Sequence, residues 1–381
     1  MSQWGDIVNT VTLALLVYEL TGSGLGVSAV VAAEILPVLL LAPLAGSLID
    51  RLPRVQVMLA ADVARAGLVG LLVAGHDHLA LVLSVAFGVS AGTVFFNPAA
   101  GSVLPAVVRK DELVAANSGI WTAAVLSQIA LAPLAGLLVA TAGFGWGFAI
   151  NAVSYLVSAL LLRGLPVPAA PAPRERPRLL RDAAEGVGVL VRHRLLRALA
   201  VAQLLAALSA GATSALLVVY AREQLEVTGS GYGMLLAAIG AGAALGPLVL
   251  LRLVRDPRRP LFVFGPLGLR GAVDLVLAAT TRLPVAAAGL LTYGIGTSTG
   301  SVTFNSLLQA ETEDRLRGRV FAAMDLLWQT GRLASLGIGG VLAEAVDVRA
   351  VYLLGGVLLL LAAGYGLISS TTRSVRTTPG G

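Results

Sequence analysis

Residues 41–55 read LAPLAGSLIDRLPRV, an apolar segment that ends in a short basic turn. A closely similar arrangement, LGPLVLLRLVRDPRR, recurs 204 residues later at 245–259. Six positions are identical at this spacing, and four of them are proline or arginine: Pro43 and Pro247, Arg51 and Arg255, Pro53 and Pro257, and Arg54 and Arg258. The same apolar element with the same turn is therefore used twice, which indicates an internal repeat and two related halves.

Apolar segments long enough to cross a bilayer lie on both sides of these two elements. A helical crossing needs about 20 apolar residues, and runs of this kind, separated by charge, Gly or Pro, predict two sets of six membrane helices. The predicted spans are 4–20, 26–48, 55–75, 79–101, 115–139 and 143–162, then 196–220, 231–252, 261–280, 284–306, 319–343 and 350–370. The predicted fold class is an all-α integral membrane protein with twelve spans in two pseudo-symmetric six-helix bundles.

Composition agrees with this organisation and excludes several other classes of protein. The chain has 381 residues, of which 57% are hydrophobic and only 13% charged, whereas soluble domains carry about 25% charge. It contains no cysteine, which removes disulfides and thiolate metal sites. The net charge of +6 lies in short loops between apolar segments, so nucleic-acid binding is not expected.

The basic residues fall mainly in alternate loops, and their distribution predicts the orientation of the chain. Of 27 Arg and Lys residues, 21 lie in one set of loops or in the C-terminal tail. Cytoplasmic loops carry such an excess. We therefore expect a multi-pass protein of the bacterial inner (plasma) membrane with both termini in the cytoplasm.

The predicted organisation has four parts. A six-helix bundle (1–162) is followed by a cytoplasmic linker (163–195) that begins with extended Pro-rich sequence and ends in an amphipathic helix. A second six-helix bundle (196–371) precedes a disordered tail (372–381). The first span starts almost at Met1, and we expect that a short cytoplasmic lead is missing there through start-site assignment.

Several short motifs resemble the major facilitator superfamily. Gly46 to Arg54 is similar to its G-x-x-x-D-R-x-G-R loop, with Pro53 in place of the usual glycine. The stretches FFNPA at 95–99, ELVAAN at 112–117 and LRGRV at 316–320 resemble the branch that contains the enterobactin exporter and macrolide-efflux proteins. The resemblance covers nearly the whole chain and implies a transporter that alternates access across the membrane, with a site between its two halves.

The loop after the second span is a candidate gating element. Asp50 at the end of that helix could face the positive N-terminus of the eleventh span, and a contact there would close one side of the membrane. The alternative is an ordinary solvated turn whose basic residues only set topology. The candidate gating residues are Gly46, Asp50, Arg51, Arg54, Gly318 and Arg319.

Charges within the spans are a second set of candidates, because each costs about 2.5–3.5 kcal/mol on insertion scales. Asp62 and Arg65, Arg270 and Asp274, and Asp325 and Arg332 are spaced three, four and seven residues apart, so each pair shares a helix face. A purely structural pair facing the bundle is the alternative to a functional one.

Two acids have no basic residue within a turn of their helix. Asp6 and Glu34 are therefore the candidates for proton coupling, because a carboxyl group inside a membrane bundle can exchange protons. The alternative for Asp6 is a solvated position at the edge of the membrane.

Polar and aromatic residues within the spans could line an amphipathic substrate cavity. Positions facing lipid or the helix core are the alternative for each one. The candidates are Asn97, Trp121, Gln128, Asn151, Tyr155, Tyr293, Asn305, Trp328 and Gln329.

Enzymatic and nucleotide-binding motifs are missing from the sequence. His76-Asp77-His78 superficially resembles a metal site, but two histidines and an aspartate in a short turn are more typical of a solvated loop. We therefore expect a secondary transporter that exports a small amphipathic molecule of the drug or siderophore class by proton antiport, without ATP, metal or cofactor. It should work as a monomer in the lipid bilayer. An importer or uniporter of a small solute is the alternative on the same fold; a polytopic enzyme or lipid-handling protein is a more distant one.

Overall fold

The protein is folded almost entirely into helices. The computed structural model describes residues 2–49, 52–109, 112–164, 179–253, 259–313 and 316–371, and within these ranges there is no β-strand. The helices are α1 (Ser2–Thr21), α2 (Gly24–Ile49), α3 (Arg54–Gly75), α4 (Leu79–Val107), α5 (Leu113–Ala142), α6 (Phe144–Leu162), α7 (Leu179–Arg192), α8 (Arg194–Ala215), α9 (Leu217–Glu223), α10 (Gly229–Leu253), α11 (Pro260–Ala279), α12 (Leu283–Ala310), α13 (Arg317–Ala345) and α14 (Val348–Thr371).

The predicted fold class is confirmed, because each predicted span coincides with a long helix. Within the described ranges, nine helices satisfy both the length and the hydropathy expected of a membrane span. The other three that match predicted spans are α1, α12 and α13, which have 20, 28 and 29 residues. Helices satisfy every backbone hydrogen bond internally, which hydrocarbon requires.

The predicted span 196–220 differs from the structure in one respect. It is divided at Leu216, between α8 and α9. The Leu216 N–H donates to the Ala212 carbonyl at 2.8 Å, and the Tyr220 N–H donates to the Leu216 carbonyl at 2.9 Å. Backbone pairing therefore continues across the irregularity.

Two compact units make up the chain. The first contains Met1–Pro177 and Ala221–Ala237, and the second contains Arg178–Tyr220 and Ala238–Gly381. One division falls within α9 and another within α10, so the end of α9 and the start of α10 belong to the first unit.

The two units repeat one packing pattern. In the first, α3 packs against α4 and α6, and α1 packs against α5 and α6. In the second, α11 packs against α12 and α14, and α8 packs against α13 and α14. Helices α1 to α6 thus correspond in order to α8, α10, α11, α12, α13 and α14, as expected from the repeat in the sequence.

Glycine permits the tight connections at two places in the first unit. Gly22, between α1 and α2, has φ +57°, and Gly143, between α5 and α6, has φ +88°. Residues other than glycine rarely adopt these backbone angles. The two turns let consecutive helices reverse direction within one or two residues.

The segment between α6 and α8 contains helix α7. Its Gly186 faces the Arg319 carbonyl at the start of α13, where an added Cβ would lie 2.4 Å from that oxygen. Leu190 is buried whereas Val191 is exposed, so the helix has one covered face. The predicted extended part of the linker, 165–178, and the predicted tail, 372–381, lie outside the described residues.

Candidate functional site

A group of charged side chains lies inside the first unit. This N cluster consists of Asp6 from α1, Asp62 and Arg65 from α3, and Tyr155 from α6. Arg65 Nη2 donates to Asp62 Oδ1, and the Tyr155 hydroxyl donates to Asp6 Oδ1. Asp62, Arg65 and Tyr155 are at most 2% exposed, whereas Asp6 is only partly buried.

Arg65 is the centre of the N cluster. Its guanidinium carbon lies 4.5 Å from the ring centroids of both Phe96 and Tyr155. Its Nη1 also donates to Thr93 Oγ1 at 3.2 Å. One cation is thus held by a carboxylate, a hydroxyl and two aromatic faces, and the Tyr155 ring links it to Asp6.

The second unit contains a related C cluster, made of Ser209 from α8, Arg270 and Asp274 from α11, and Tyr293 from α12. Arg270 Nη2 donates to the Tyr293 hydroxyl at 2.7 Å, and the guanidinium carbon lies 4.6 Å from that ring's centroid. Asp274 Oδ2 accepts a hydrogen bond of 3.4 Å from Ser209 Oγ. Arg270 therefore contacts Tyr293, and Asp274 contacts Ser209. Among the described contacts, the two charged residues form no ion pair with each other.

Equivalent glycines position the two arginines. Gly92 of α4 packs on the Arg65 stem, and Gly296 of α12, 204 residues later, packs on the Arg270 stem. A Cβ at Gly92 would lie 2.9 Å from Arg65 Cγ, and one at Gly296 would lie 3.0 Å from Arg270 Cγ. Both halves of the repeat therefore have a buried arginine and, beside its stem, a glycine whose lack of a side chain leaves room for it.

A cavity of about 320 Å³ opens within the second unit, between α8, α11, α12 and α13. Small residues, among them Ala202, Ala206 and Gly300, form part of its wall. Phe304, Asn305, Phe321, Asp325 and Trp328 contribute larger aromatic and polar side chains, and Gln203 and Arg270 also line it. Asn305 and Trp328, predicted as cavity residues, thus lie at one cavity together with Asp325.

The other predicted cavity residues have different surroundings. Asn97 and Trp121 are exposed on the helix surface, while Gln128 and Gln329 are partly buried. Asn151 is fully buried, and its Oδ1 accepts a bond of 3.3 Å from Ser154 Oγ. Tyr155 and Tyr293 belong to the N cluster and the C cluster, and none of these seven lines the cavity of the second unit.

The remaining charged candidates are dispersed. Glu34 is partly buried in α2, and its backbone carbonyl accepts a bond from Ser90 Oγ at 2.5 Å. Arg332 follows Asp325 on α13 by two turns, which is about 10 Å along the axis. It does not line the cavity.

Only part of the candidate gating loop can be placed. Asp50 and Arg51 lie outside the described residues, and Gly46 lies near the end of α2. Arg54 begins α3 and donates from Nη1 to the Ser102 carbonyl at 3.3 Å. Gly318 and Arg319 belong to the first turn of α13.

The histidine turn has little in common with a metal centre. His76 Nε2 lies 3.7 Å from Asp77 Oδ1, and the Asp77 side chain is 79% exposed. Among the residues that the structure describes, no group of three or more His, Cys, Asp or Glu could hold a metal ion.

Several contributors to these sites were missing from the predicted residues. Thr93, Phe96 and Ser209 complete the two clusters, and Gln203, Phe304 and Phe321 complete the cavity. Their residue types are common in apolar helices and carry no signal of their own. The glycine pair was accessible, because Gly92 and Gly296 match at the same spacing of 204 that relates the two basic turns.

Known proteins resemble the chain over most of its length. A model of the Major Facilitator Superfamily matches residues 1–336. The multidrug efflux pump Tap of Mycobacterium tuberculosis H37Rv is 29% identical over 371 residues, which cover 93% of this chain and 87% of Tap. The enterobactin exporter EntS of Escherichia coli HS is 27% identical over 286 residues, covering 72% of this chain and 66% of EntS.

A solved structure supports the same fold. A bacterial homologue of the iron transporter ferroportin, crystallised in an inward-facing state, superimposes with a TM-score of 0.77. It is 18% identical, and the match covers 97% of this chain and 96% of the other. At this identity the likeness concerns the fold alone.

Proposed function

This chain belongs to the Major Facilitator Superfamily, and on that basis we propose that it exports a small amphipathic molecule in exchange for protons. Its family and its named relatives are transporters rather than enzymes. Tap and EntS are an efflux pump and an exporter by name, which supports the outward direction. The drug or siderophore class of cargo is proposed on the same ground.

The observation that carries the proton coupling is the hydrogen bond from the buried Tyr155 hydroxyl to Asp6. It makes Asp6 part of a cluster with two carboxylates and one guanidinium. With both acids ionised the N cluster carries one net negative charge, and with one proton bound it is neutral. Two states that differ by a single proton are what a proton-driven exchanger requires.

Asp6 is the acid that exchanges this proton. Asp62 is fully buried and directly paired with Arg65, so losing its charge would leave the guanidinium without its ionic partner. Asp6 is partly exposed and bonded to a neutral phenol. Of the two carboxylates, it is the one that solvent can reach.

The proposed orientation places both termini in the cytoplasm of a bacterium and the protein in its inner membrane. The excess of Arg and Lys in alternate loops supports this topology. Protons then enter from outside and leave inside while cargo moves outward, and alternating access prevents both from crossing freely.

The test uses inverted membrane vesicles with a fluorescent reporter of the pH gradient. Cationic, neutral and anionic amphipathic drugs are added in turn, and a proton-coupled exporter dissipates part of the gradient when its cargo arrives. Asp6→Asn keeps the shape and an acceptor oxygen for Tyr155 but cannot bind the proton, so we expect it to abolish this response.

Asp77→Asn is the matched control, since it removes one carboxylate from an exposed turn in the same unit. It should behave as the unmodified protein does. A normal response from Asp6→Asn at equal expression would remove Asp6 from the mechanism. Cargo movement without any proton movement would refute the exchange itself.

A further inference from the structure

Of the two charged residues that line the cavity of the second unit, the acidic one is exposed and the basic one is buried, and from this we propose that the cargo is an amphipathic organic cation with aromatic groups. This inference deepens the proposed function by assigning a chemical class to the transported molecule. It depends on the side chains that line one cavity, all of which belong to α8, α11, α12 and α13.

Two charged residues line this cavity, Arg270 and Asp325. Arg270 is only 7% exposed, and its Nε is buried without a hydrogen-bond partner among the described residues. Arg270 donates to the Tyr293 hydroxyl, lies over the Tyr293 ring, and shares its helix with the buried Asp274. Burial and the contacts with Tyr293 limit the access of an anionic ligand to the guanidinium.

Asp325 has the opposite character. Its side chain is exposed at the cavity, and within the described part of the chain it forms no hydrogen bond or ion pair. Keeping a carboxylate inside a membrane helix is costly, and such residues usually mark a ligand or ion pathway. The accessible charge of the cavity is therefore negative.

The rest of the wall suits an aromatic cation. Phe304, Phe321 and Trp328 line the same cavity as Asp325. Aromatic faces attract organic cations, with Trp the most effective, and the attraction increases when water is excluded. Gln203 and Asn305 add neutral hydrogen-bonding groups that can orient polar substituents. A carboxylate among aromatic rings favours a delocalised or substituted ammonium, phosphonium or related cation over a neutral solute of equal size.

The test is equilibrium binding to the full chain in detergent, with radiolabelled tetraphenylphosphonium and tetraphenylborate as probes. These ions have nearly the same size and shape but opposite charge. We expect tetraphenylphosphonium to bind more tightly. Asp325→Asn should weaken its binding by about tenfold or more, which corresponds to ~1.4 kcal/mol of lost attraction. Asp325→Glu, which restores the charge, should recover most of the affinity.

Glu313→Gln is the matched control, because it removes an exposed carboxylate from the same unit away from the cavity. It should leave binding of both probes unchanged. Trp328→Ala tests the aromatic wall without changing charge and should also weaken tetraphenylphosphonium. A thermal unfolding curve for each variant separates loss of binding from loss of folding.

Tighter binding of tetraphenylborate, binding of neither ion, or unchanged cation binding in folded Asp325→Asn would each overturn the proposal. Because the measurement uses no pH gradient, none of these results bears on proton exchange. Conversely, a chain that binds tetraphenylphosphonium but gives no pH-gradient response to any cargo would refute the proposed proton exchange alone, so failure of the proposed function is distinguishable from failure of this inference.

Discussion

The N cluster and the C cluster share two pairs of equivalent helices, α1 with α8 and α3 with α11, but their tyrosines come from non-equivalent helices and their balance of charge differs. Both have a buried arginine on the third helix of the unit, next to a glycine on the fourth and against a tyrosine ring. The N cluster joins two carboxylates to its arginine, whereas the C cluster has only Asp274. A duplicated framework can thus retain its cation and packing while one copy acquires a second acid, which the proposed function uses for the proton.

The largest expected effect comes from removing the two arginines in turn. Arg65→Gln leaves two carboxylates without their cation, and Arg270→Gln leaves one. Breaking the buried Asp62–Arg65 pair costs about 3–5 kcal/mol, whereas Arg270→Gln removes contacts to Tyr293 rather than an ion pair. Both variants should therefore unfold at lower temperature, Arg65→Gln by the wider margin. Thermal unfolding of the purified protein in detergent measures the difference.

A double variant tests whether the unpaired carboxylates cause the lower stability of Arg65→Gln. Adding Asp62→Asn to Arg65→Gln removes one stranded acid and should restore part of the lost thermal stability. Equal losses of thermal stability in the two single variants, with no recovery in the double variant, would show that the difference in charge between the clusters does not affect stability.

Filling the glycine positions should have an intermediate effect in both units. Gly92→Ala and Gly296→Ala each force an arginine stem to move, and overpacking of this kind costs about 1–3 kcal/mol. Gly92→Ala should impair the pH-gradient response, whereas Gly296→Ala should weaken tetraphenylphosphonium binding, because Arg270 lines that cavity. Vesicle and binding assays on the same two variants separate these outcomes.

Gly70→Ala provides the control, since a Cβ there meets nothing within 4 Å and the residue is exposed on α3. Alanine favours a helix over glycine by about 1 kcal/mol, so this variant should be at least as stable as the original protein. Equal damage from all three substitutions would mean that the arginine contacts are irrelevant.

The smallest expected effect concerns the two tyrosine hydroxyls. Tyr155→Phe keeps the ring beneath Arg65 but removes the bond to Asp6, while Tyr293→Phe keeps the ring near Arg270 and removes its bond. Each loses about 1 kcal/mol of hydrogen bonding. Only Tyr155→Phe should alter the pH dependence of cargo-induced gradient loss, measured over a range of pH in vesicles. A matching change in Tyr293→Phe would assign proton exchange to both clusters.

The sequence was sufficient to predict the helices, because continuous apolar runs and the basic turns that separate them determine where a membrane helix begins and ends. Spacing along a helix was less informative about partners. Asp62 and Arg65, three apart, are in contact, but Arg270 and Asp274, four apart, turn toward Tyr293 and Ser209. Sharing a helix face does not decide which neighbouring helix a side chain meets.

The contacts between distant segments could not be predicted at all. Tyr155 bonds to Asp6 across 149 positions, and neither residue type nor spacing distinguishes this pair from any other Tyr and Asp. Asn305 and Trp328 were grouped with Trp121 and Asn97 as amphipathic side chains, yet the first two line a cavity and the last two lie exposed. Tertiary packing, rather than local pattern, makes that distinction.

The small residues of the cavity wall have a consequence for the evolution of the cargo range. Ala202 and Ala206 lie on α8 in the second unit, whereas Asp6 of the N cluster belongs to the first unit. One added methylene in an apolar pocket changes selectivity by about 1–3 kcal/mol. Under the proposed function, single substitutions there would change which molecules are exported and leave the proton-exchanging acid unchanged, so the range of cargo can diverge faster than the proton site.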